Sequence, residues 1–521
     1  MTDNVQNISV NTENGKTCVG GRISAPAAPV KLDLLYLYEE DNACTNDGVV
    51  YDLSLDRAFE YIEPDNNRRR EFLKVLSNPP KGLKNIQARQ QTLRDFSANP
   101  LLLDELTDAV RRYSDAHKDF SHQRGKLVTS SKINDESARS SLIVSASHLY
   151  EQLKRLKNIS SVLRKYKLYS PLLQRVCCRL YTLTEEHKET YEAMFSMLSR
   201  LRNITAEDSF TVTAHLTNDC RLDSCELSAI TDCEIGGGII GRLFGKNPLK
   251  GKLPQINANT NILENSEGLR NSLLGEGFRE MMTLVHSIAS SLYGEFEGFM
   301  PALRFYSIAL DYTLMMRRKG LPMVFPTICD TPTLDCRELY DVLLCLSQPN
   351  ASGVVPNDVR LGSDCEGIII RGENNSGKTV YLRSVGSAAL LAQNGLPIPC
   401  GSDNAVCGIF SGIFTQFAAA EKEFEAGNDA GRFEQEVREL AAVIESAVSD
   451  SLVLLNESFQ TTAYAEGADG MYHILRYLTR GRIRWVIVTH LPDLAPMFGG
   501  GIMRLRTEDG YKLSTVDVLS V

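Results

Sequence analysis

The segment with the clearest chemical potential is a glycine-rich stretch that ends in lysine and threonine. Residues 372–379 read GENNSGKT and fit the pattern GxxxxGK followed by Ser or Thr without a mismatch. An apolar run at 366–371 precedes them, and a Leu- and Ala-rich helical pattern at 381–393 follows. In this strand–loop–helix context, backbone N–H groups of the loop and of the helix N-terminus surround a phosphate. The segment therefore predicts a nucleoside triphosphate site.

The loop residues have distinct expected roles. Lys378 is expected to reach the β- and γ-phosphates of ATP, and the Thr379 hydroxyl is expected to bind Mg²⁺. ATP and Mg²⁺ are therefore the predicted cofactors. The residues predicted to contact the nucleotide are Gly372, Glu373, Asn374, Asn375, Ser376, Gly377, Lys378 and Thr379.

Two further apolar runs end in residues that suit phosphate chemistry. Residues 451–457 read SLVLLNE, and residues 485–490 read WVIVTH. Glu457 is expected to act as general base on the attacking water. His490 is predicted to sense the γ-phosphate, with a purely structural or helix-capping histidine as the alternative. Asn456 stands where such a strand usually carries Asp; its carbonyl suits a metal-bound water but brings no negative charge, so we expect weaker Mg²⁺ retention.

The elements that must position these residues differ along the chain. Residues 54–181 and 266–318 have helical periodicity, and they are separated by a Gly-rich basic stretch at 236–252. After residue 322, short apolar runs alternate with helices, which is typical of an α/β sheet. The predicted fold is an α-helical core and lever domain followed by an α/β P-loop NTPase domain.

One leucine repeat defines a helix within the first helical block. Leucines recur every seven residues, with two further apolar residues at the alternate seam position. This pattern predicts an amphipathic helix that packs against neighbouring helices of its own domain. The residues concerned are Leu142, Ala146, Leu149, Leu153, Leu156 and Leu163.

We expect three segments. Residues 1–45 are polar at their start and are predicted to be disordered or irregular. Residues 46–328 are predicted to form the helical core and lever domain, with a loose insertion at about 234–264. Residues 329–521 are predicted to form the P-loop ATPase domain, which ends in a hairpin at Asp509 and Gly510.

The net charge of the chain limits the kinds of partner that it can bind. The net charge of −9 argues against a surface that grips nucleic acid throughout, because such binding depends on neutralising phosphates. The densest basic run is more simply the solvated face of a helix. It comprises Lys154, Arg155, Lys157, Arg164, Lys165 and Lys167, and a second patch is Arg68, Arg69 and Arg70.

The number of cysteines and the length of the apolar runs indicate the compartment in which the protein is expected to work. The 13 cysteines are scattered and odd in number, so reduced thiols are expected. Cys220, Cys225 and Cys233 lack the CxxC spacing of a zinc site. No apolar run approaches the about 20 residues of a membrane span. We therefore expect a cytoplasmic protein with no membrane partner.

Taken together, the motifs resemble the MutS family of DNA mismatch-repair ATPases. The resemblance is carried by 372–418, with GLPIP at 395–399 and IFTQ at 413–416, and by 451–457, 461–467 and 488–490. Upstream, 355–358 is similar to the adenine-side strand. Residues 86–96 are similar to a recurrent Arg-Gln segment of the helical core, and 296–326 to the lever helix. The resemblance implies DNA as a partner and a homodimer formed through the ATPase domain.

The sequence also departs from the family pattern. It resembles a short form without the N-terminal mismatch-recognition and connector domains, the C-terminal helix-turn-helix or an appended nuclease. The Ser-Thr pair expected before the helix that leads to 451–457 is Gly431-Arg432. Arg432 would supply charge to the partner subunit's nucleotide, or it is a surface arginine.

Two functions follow from the resemblance. The first is an ATP hydrolase that couples ATP binding and hydrolysis to the binding of mismatched or branched DNA through helical levers. The alternative is a nucleotide-gated protein-interaction scaffold without DNA binding and with weak hydrolysis. A third possibility, an SMC- or ABC-type ATPase, fits less well than an ABC-like ATPase of the MutS type, because the sequence has no LSGGQ-like stretch.

Overall fold

A computed structural model gives the fold. It describes residues 32–38, 42–128, 135–186, 188–189, 191–192, 195–196, 210–216, 222–230, 233–234, 282, 285–417, 429–458, 464–508 and 510–516. The described residues of 31–124, 150–186 and 292–521 form one compact unit, and those of 125–149 and 187–291 belong to a second. The bounds of 1–45, 46–328 and 329–521 remain a prediction.

Residues 55–181 and 299–318 are largely helical, as the periodicity of 54–181 and 266–318 predicts. Two of the breaks between helices lie at prolines, since one helix ends at Leu76 before Pro79 and Pro80, and another begins at Pro100. Proline lacks the N–H that a helix interior requires, so it ends a helix or starts a new one. The helices are α1 (Val49–Asp52), α2 (Leu55–Glu60), α3 (Asn66–Leu76), α4 (Leu83–Ala98), α5 (Pro100–Val128), α6 (Asp135–Arg164), α7 (Pro171–Tyr181) and α8 (Phe299–Arg318).

The leucine repeat lies in α6, and its prediction as an amphipathic helix is confirmed. All six residues of the repeat are buried, Leu153 being the most exposed at 9%. The C-terminal half of α6 contacts α5, where the Gln152 amide nitrogen lies 2.8 Å from His117 Nδ1. A continuous apolar stripe therefore fixes the face that α6 buries.

In the second half of the described chain, helices alternate with strands. The helices are α9 (Val342–Ser347), α10 (Lys378–Gln393), α11 (Asp429–Ser446) and α12 (Tyr464–Arg480). The strands of the described chain are β1 (Cys44–Thr45), β2 (Phe210–Leu216), β3 (Leu222–Ile230), β4 (Cys233–Glu234), β5 (Met323–Val324), β6 (Thr327–Cys329), β7 (Leu334–Leu339), β8 (Asn357–Leu361), β9 (Gly367–Arg371), β10 (Ile398–Pro399), β11 (Val406–Gly408), β12 (Gly412–Phe417), β13 (Leu452–Asn456), β14 (Arg484–Val488), β15 (Ile502–Thr507) and β16 (Leu513–Thr515).

Among the described residues, seven strands form the main sheet in the order β1-β12-β13-β14-β9-β15-β16. The pairs from β1 to β15 are parallel, and β16 returns antiparallel to β15 as the predicted hairpin. Strand β14 lies between β9 and β13, with Val486 opposite both Ile368 and Leu454. The carboxyl ends of parallel strands meet at one edge, so the polar residues after β9, β13 and β14 lie together.

Smaller sheets accompany the main one. Strands β6, β11, β7 and β8 form a sheet, β5 pairs with β10, and β2, β3 and β4 form an antiparallel sheet in the second unit. The Gly-rich stretch at 236–252 and Cys220 lie outside the described residues, and so do the side chains of Cys225 and Cys233. The cysteines that the structure describes are free thiols.

Strands β9, β13 and β14 are nearly continuous apolar runs because both faces of this sheet are covered. Trp485 in β14 is fully buried and packs with Leu440 of α11, Leu475 of α12 and Phe498 in one apolar cluster. Such continuous burial is what parallel sheets require of their strands. No helix among the described residues is long and apolar enough to cross a membrane.

Helix α4 and the chain directly after α10 share buried polar contacts within the larger unit. Arg89 of α4 is fully buried, and its guanidinium donates to Asn394 Oδ1 at 3.0 Å and to the Leu35 carbonyl at 2.8 Å. Gly395 has φ +80°, and a Cβ there would lie 2.6 Å from Arg89 Cβ. The end of α10 and α4 therefore lie so close together that a side chain larger than that of glycine would clash. This contact joins the helical region to α10, the helix that follows the phosphate loop.

Candidate nucleotide-binding site

The loop between β9 and α10 has the backbone curvature of a phosphate cradle. Asn375 has φ +62° and Gly377 has φ +92°, so the chain turns through left-handed conformations just before α10 begins. Gly372 lies close to the end of β15, because a Cβ there would stand 1.8 Å from Thr507 Oγ1. The Thr507 hydroxyl in turn donates to Ser376 Oγ at 2.8 Å. Thr507, at the end of β15, thus holds the loop through its hydrogen bond to Ser376.

Lys378 lies inside the loop. Its residue is only 4% exposed, and Nζ donates to the carbonyl oxygens of Gly372 at 2.9 Å and Glu373 at 2.6 Å. Burial lowers the pKa of Lys378 from its ordinary value, and the nearby carboxylate of Glu457 opposes that shift. A poorly solvated ammonium held by carbonyl dipoles is a strong binding point for a phosphate oxygen.

Thr379 and Asn456 bring two oxygens together beside the loop. The Thr379 hydroxyl donates to Asn456 Oδ1 at 3.2 Å, across the gap between α10 and the end of β13. A hydroxyl and an amide carbonyl are hard oxygen ligands of the kind that Mg²⁺ accepts directly or through its waters. This donor set fits Mg²⁺, and its single departure from a carboxylate site is the neutral side chain of Asn456.

Glu457 and His490 meet at the same edge of the sheet. His490 Nε2 lies 2.9 Å from Glu457 Oε1, with both side chains partly exposed. Glu457 has φ +56°, and its N–H donates to the Val488 carbonyl at 2.9 Å. The positive φ ends the extended conformation of β13 at Glu457. The pair is placed to hold a water and to exchange a proton with it.

The structure therefore brings most of the predicted site residues together. The loop, Lys378, Thr379, Asn456, Glu457 and His490 all lie where β9, β13 and β14 end. A cleft of about 770 Å³ adjoins the loop and is lined in part by Gly372, Glu373, Ser376, Thr489 and His490. The side chain of Arg432 lies outside the described residues, so its predicted contact to a partner subunit remains a prediction.

Some residues near the site were assigned no role there by the sequence, although two of them lie in the segment 413–416 that carries part of the resemblance. Gln416, at the end of β12, is buried and accepts a hydrogen bond from Ser458 Oγ, directly after Glu457. The Thr415 hydroxyl donates to Asp52 Oδ2 at 2.6 Å. Burial raises the pKa of Asp52, and the Thr415 hydrogen bond opposes the shift. The contact between Thr415 and Asp52 joins residues 363 positions apart, and a local pattern carries no signal for it.

Comparison with known proteins agrees with this geometry. Residues 368–500 match the family described as MutS domain V. This segment belongs to the MutS domain V family. Domain V is an ATPase of the ABC type, and the match starts within β9 and ends after His490. The predicted resemblance to MutS proteins and the predicted fold class are confirmed for this part of the chain.

Curated relatives are similar over the same region. Endonuclease MutS2 of Streptococcus gordonii is 35% identical over 179 residues, which is 34% of this chain and 21% of that protein. Endonuclease MutS2 of Lactobacillus acidophilus is 34% identical over 145 residues, 28% of this chain and 18% of that protein. Endonuclease MutS2 of Pelotomaculum thermopropionicum is 38% identical over 142 residues, 27% of this chain and 18% of that protein. The chain thus spans about a fifth of the length of these relatives.

Proposed function

We propose that this chain binds ATP with Mg²⁺ and hydrolyses it where β9, β13 and β14 end. The observation that carries the proposal is the convergence of a buried lysine, a pair of oxygen ligands and a carboxylate–histidine pair at one phosphate loop. These groups come from α10 and from the ends of β13 and β14, so a merely structural role would not require all of them at one place. The MutS domain V match supports the same conclusion.

Different residues of this chain carry out the separate steps of the proposed hydrolysis. Lys378 exchanges its loop carbonyls for phosphate oxygens and stabilises their charge in the transition state. Thr379 and Asn456 would hold Mg²⁺, which would neutralise charge on the phosphates. Glu457 orients the attacking water and accepts its proton, and His490 fixes the carboxylate of Glu457 at 2.9 Å. Because Asn456 is neutral, hydrolysis should depend on a higher Mg²⁺ concentration than in an Asp-bearing site.

We further propose that ATP occupancy is transmitted to the helical region. Two contacts support this. Asn394, directly after α10, bonds Arg89 of α4, and Asp52 at the end of α1 bonds Thr415 in the strand beside β13. Movement of the phosphate loop or of the end of β13 would therefore reach α1 and α4. The proposed client is mismatched or branched DNA, bound by a homodimer that forms through the ATPase domain.

The alternative is a nucleotide-gated scaffold that binds proteins rather than DNA. It is favoured by the ion pairs that lysines of the basic run form with carboxylates. Lys157 pairs with Glu185 at 3.2 Å, Lys165 pairs with Glu105 at 2.8 Å, and Lys154 lies 3.9 Å from Glu151. Lysines already paired with carboxylates offer little net charge to a DNA backbone. The net charge of −9 favours the same alternative.

ATP turnover tests the first proposal. We expect the full chain to release phosphate from MgATP, and we expect Glu457→Gln to bind ATP normally while turnover falls by about 10²- to 10⁴-fold, the range for loss of a general base. Glu445→Gln, an exposed carboxylate on α11, is the control and should keep full turnover. Equal turnover in the wild type and Glu457→Gln would refute the assigned role.

DNA binding separates the two functions. Turnover and binding are measured with homoduplex, mismatched and branched DNA over a range of salt concentrations. Binding through phosphates must weaken steeply as salt rises, because counterions are released. Stimulation by mismatched or branched DNA supports the DNA-coupled ATPase. Absence of binding at every salt concentration, with ATP binding intact, supports the scaffold.

A further inference from the structure

A groove of about 510 Å³ lies beside helix α4, within the larger unit. It is lined by residues of α4 between 84 and 94 and by the segment 325–328, and we call it the α4 groove. Leu37, Phe325 and Pro326 give it apolar surface. None of its lining residues belongs to the phosphate loop, so the α4 groove is separate from the nucleotide site.

Four polar side chains of α4 line the groove from one face of the helix. Their positions are three, four and three residues apart, so at about 100° per residue they fall within an arc of about 80°. The first and the last are about 15 Å apart along the helix axis, at about 1.5 Å per residue. Both of these are cations, and the two between them are amides. The four residues are Lys84, Gln87, Gln91 and Arg94.

The two cations are held by aromatic rings rather than by carboxylates. Lys84 Nζ lies 5.7 Å from the centroid of the Tyr38 ring, and Arg94 Cζ lies 4.7 Å from the centroid of the Phe325 ring. A ring attracts a cation but does not neutralise its charge. Among the described residues that line the groove there is no Asp or Glu. The groove therefore offers positive charge that the lysines of the basic run, paired with carboxylates, do not offer.

Strand β6 adds a backbone edge to the groove. Among the described strands, β6 lies at the edge of its sheet and pairs with β11. The Thr327 N–H donates to the Ala405 carbonyl at 2.9 Å, and the Cys329 carbonyl accepts from β11's neighbour in sequence, Ile409, at 3.0 Å. Because the bonding direction alternates along a strand, the N–H and C=O of Ile328, which lines the groove, point away from β11. Such an edge is a template for an added extended segment.

We propose that the α4 groove binds an extended acidic segment of a partner protein, with one carboxylate at Lys84 and another at Arg94. An extended chain rises about 3.3 Å per residue, and residues four positions apart project from the same side. Two carboxylates at that spacing are about 13 Å apart, which matches the separation of the two cations within the reach of their long side chains. The proposal adds a protein-binding site to the chain and does not depend on ATP hydrolysis.

Nucleic acid fits this groove less well. Duplex DNA carries about one charge per 1.7 Å, or about nine over a length of 15 Å. Two cations with neutral amides between them would neutralise few of these charges. A peptide with two carboxylates is matched in both the number and the spacing of its charges.

The first test uses a blocked, fluorescently labelled heptapeptide, Thr-Glu-Val-Thr-Val-Glu-Thr. Its glutamates are four residues apart, and its residue types favour an extended backbone. Fluorescence anisotropy measures its binding to the full chain. The isomer Thr-Glu-Glu-Val-Thr-Val-Thr has the same composition and should bind at least about threefold more weakly, because its adjacent glutamates cannot reach both cations. Titration of the same protein with MgATP separates a failure of this proposal from a failure of the nucleotide site.

The second test removes the charges of the groove. Lys84→Gln and Arg94→Gln should each weaken the heptapeptide by about three- to fivefold, the upper part of the range for an exposed ion pair. The two cations are far enough apart to act independently, so the double variant should lose about 10- to 25-fold. Lys74→Gln, which changes an exposed lysine on α3, is the matched control and should bind as the wild type does. All of these variants should keep the MgATP affinity of the wild type.

Charge reversal completes the test. The double variant Lys84→Glu with Arg94→Glu should not bind the heptapeptide, and it should bind the version that carries lysines in place of both glutamates. No binding of the glutamate peptide to the wild type up to about 1 mM would overturn the proposal. Equal affinity for the two isomers, or an equal loss in Lys74→Gln and Arg94→Gln, would do the same. Tighter binding of a single-stranded oligonucleotide, lost in the same variants, would assign the groove to nucleic acid instead.

Discussion

Replacing Lys378 by methionine removes the cation at the centre of the phosphate loop while keeping the length of the side chain. The ammonium now donates to the carbonyls of Gly372 and Glu373 at 2.9 and 2.6 Å. ATP would replace these neutral acceptors by charged phosphate oxygens. Each hydrogen bond to a charged group contributes about 1.5–3 kcal/mol.

Because Lys378 gives up existing bonds when ATP binds, the lower end of that range applies. Two bonds at about 1.5 kcal/mol give about 3 kcal/mol, which corresponds to a loss of about 150-fold in affinity. The folded state should change less. Methionine leaves two loop carbonyls without their donor, but it also removes a buried charge, and these effects oppose each other.

Calorimetric titration with MgATP measures the affinity, and thermal unfolding without nucleotide shows that the variant is folded. Lys319→Met is the matched control, because Lys319 also donates to two backbone carbonyls, those of Leu346 and Gln348, outside the loop. It should bind MgATP as the wild type does. A loss smaller than about threefold in folded Lys378→Met would contradict the reasoning, since it would leave under 0.7 kcal/mol to the lysine.

Three further predictions concern the same region. Burial lowers the pKa of Lys378 and ATP favours its charged form, so ATP affinity should fall as pH rises through the alkaline range below 10.5. Titrations in buffers of different ionisation enthalpy should show that ATP binding takes up protons in this range. The Lys378→Arg variant should bind ATP without this proton uptake. Gly372→Ala places a Cβ 1.8 Å from Thr507 Oγ1 and should weaken MgATP by more than about tenfold with the chain still folded; normal affinity would show that the loop can yield. Asn394→Ala removes the acceptor of Arg89 and should lower the free energy of unfolding by about 1–3 kcal/mol in denaturant titrations, whereas an unchanged midpoint would show that this contact is replaceable.

The phosphate loop was predictable because its signal is local. The glycines, Lys378 and Thr379 are consecutive in sequence, and the strand before them and the helix after them appear as predicted. The roles of Asn456, Glu457 and His490 needed one further assumption, that their strands are parallel neighbours of β9. The observed sheet order meets it, with β14 between β9 and β13.

Other parts of the site were beyond sequence reasoning. A two-residue strand, β1, pairs in parallel with β12 at the edge of the main sheet, yet two residues are too few to carry a periodic pattern. Arg89 and Asn394 are 305 positions apart, and both are common polar residue types.

By itself, the sequence determined the elements and their chemistry: where strands end, which residues follow them, and which loop can wrap a phosphate. These properties depend on backbone preference and on apolar periodicity, which act over a few residues. Tertiary structure decided which strand ends are neighbours and that β15 contacts the loop through Thr507. Those arrangements depend on the combined packing of distant segments, because many weak contacts, rather than any one local preference, select a single sheet order.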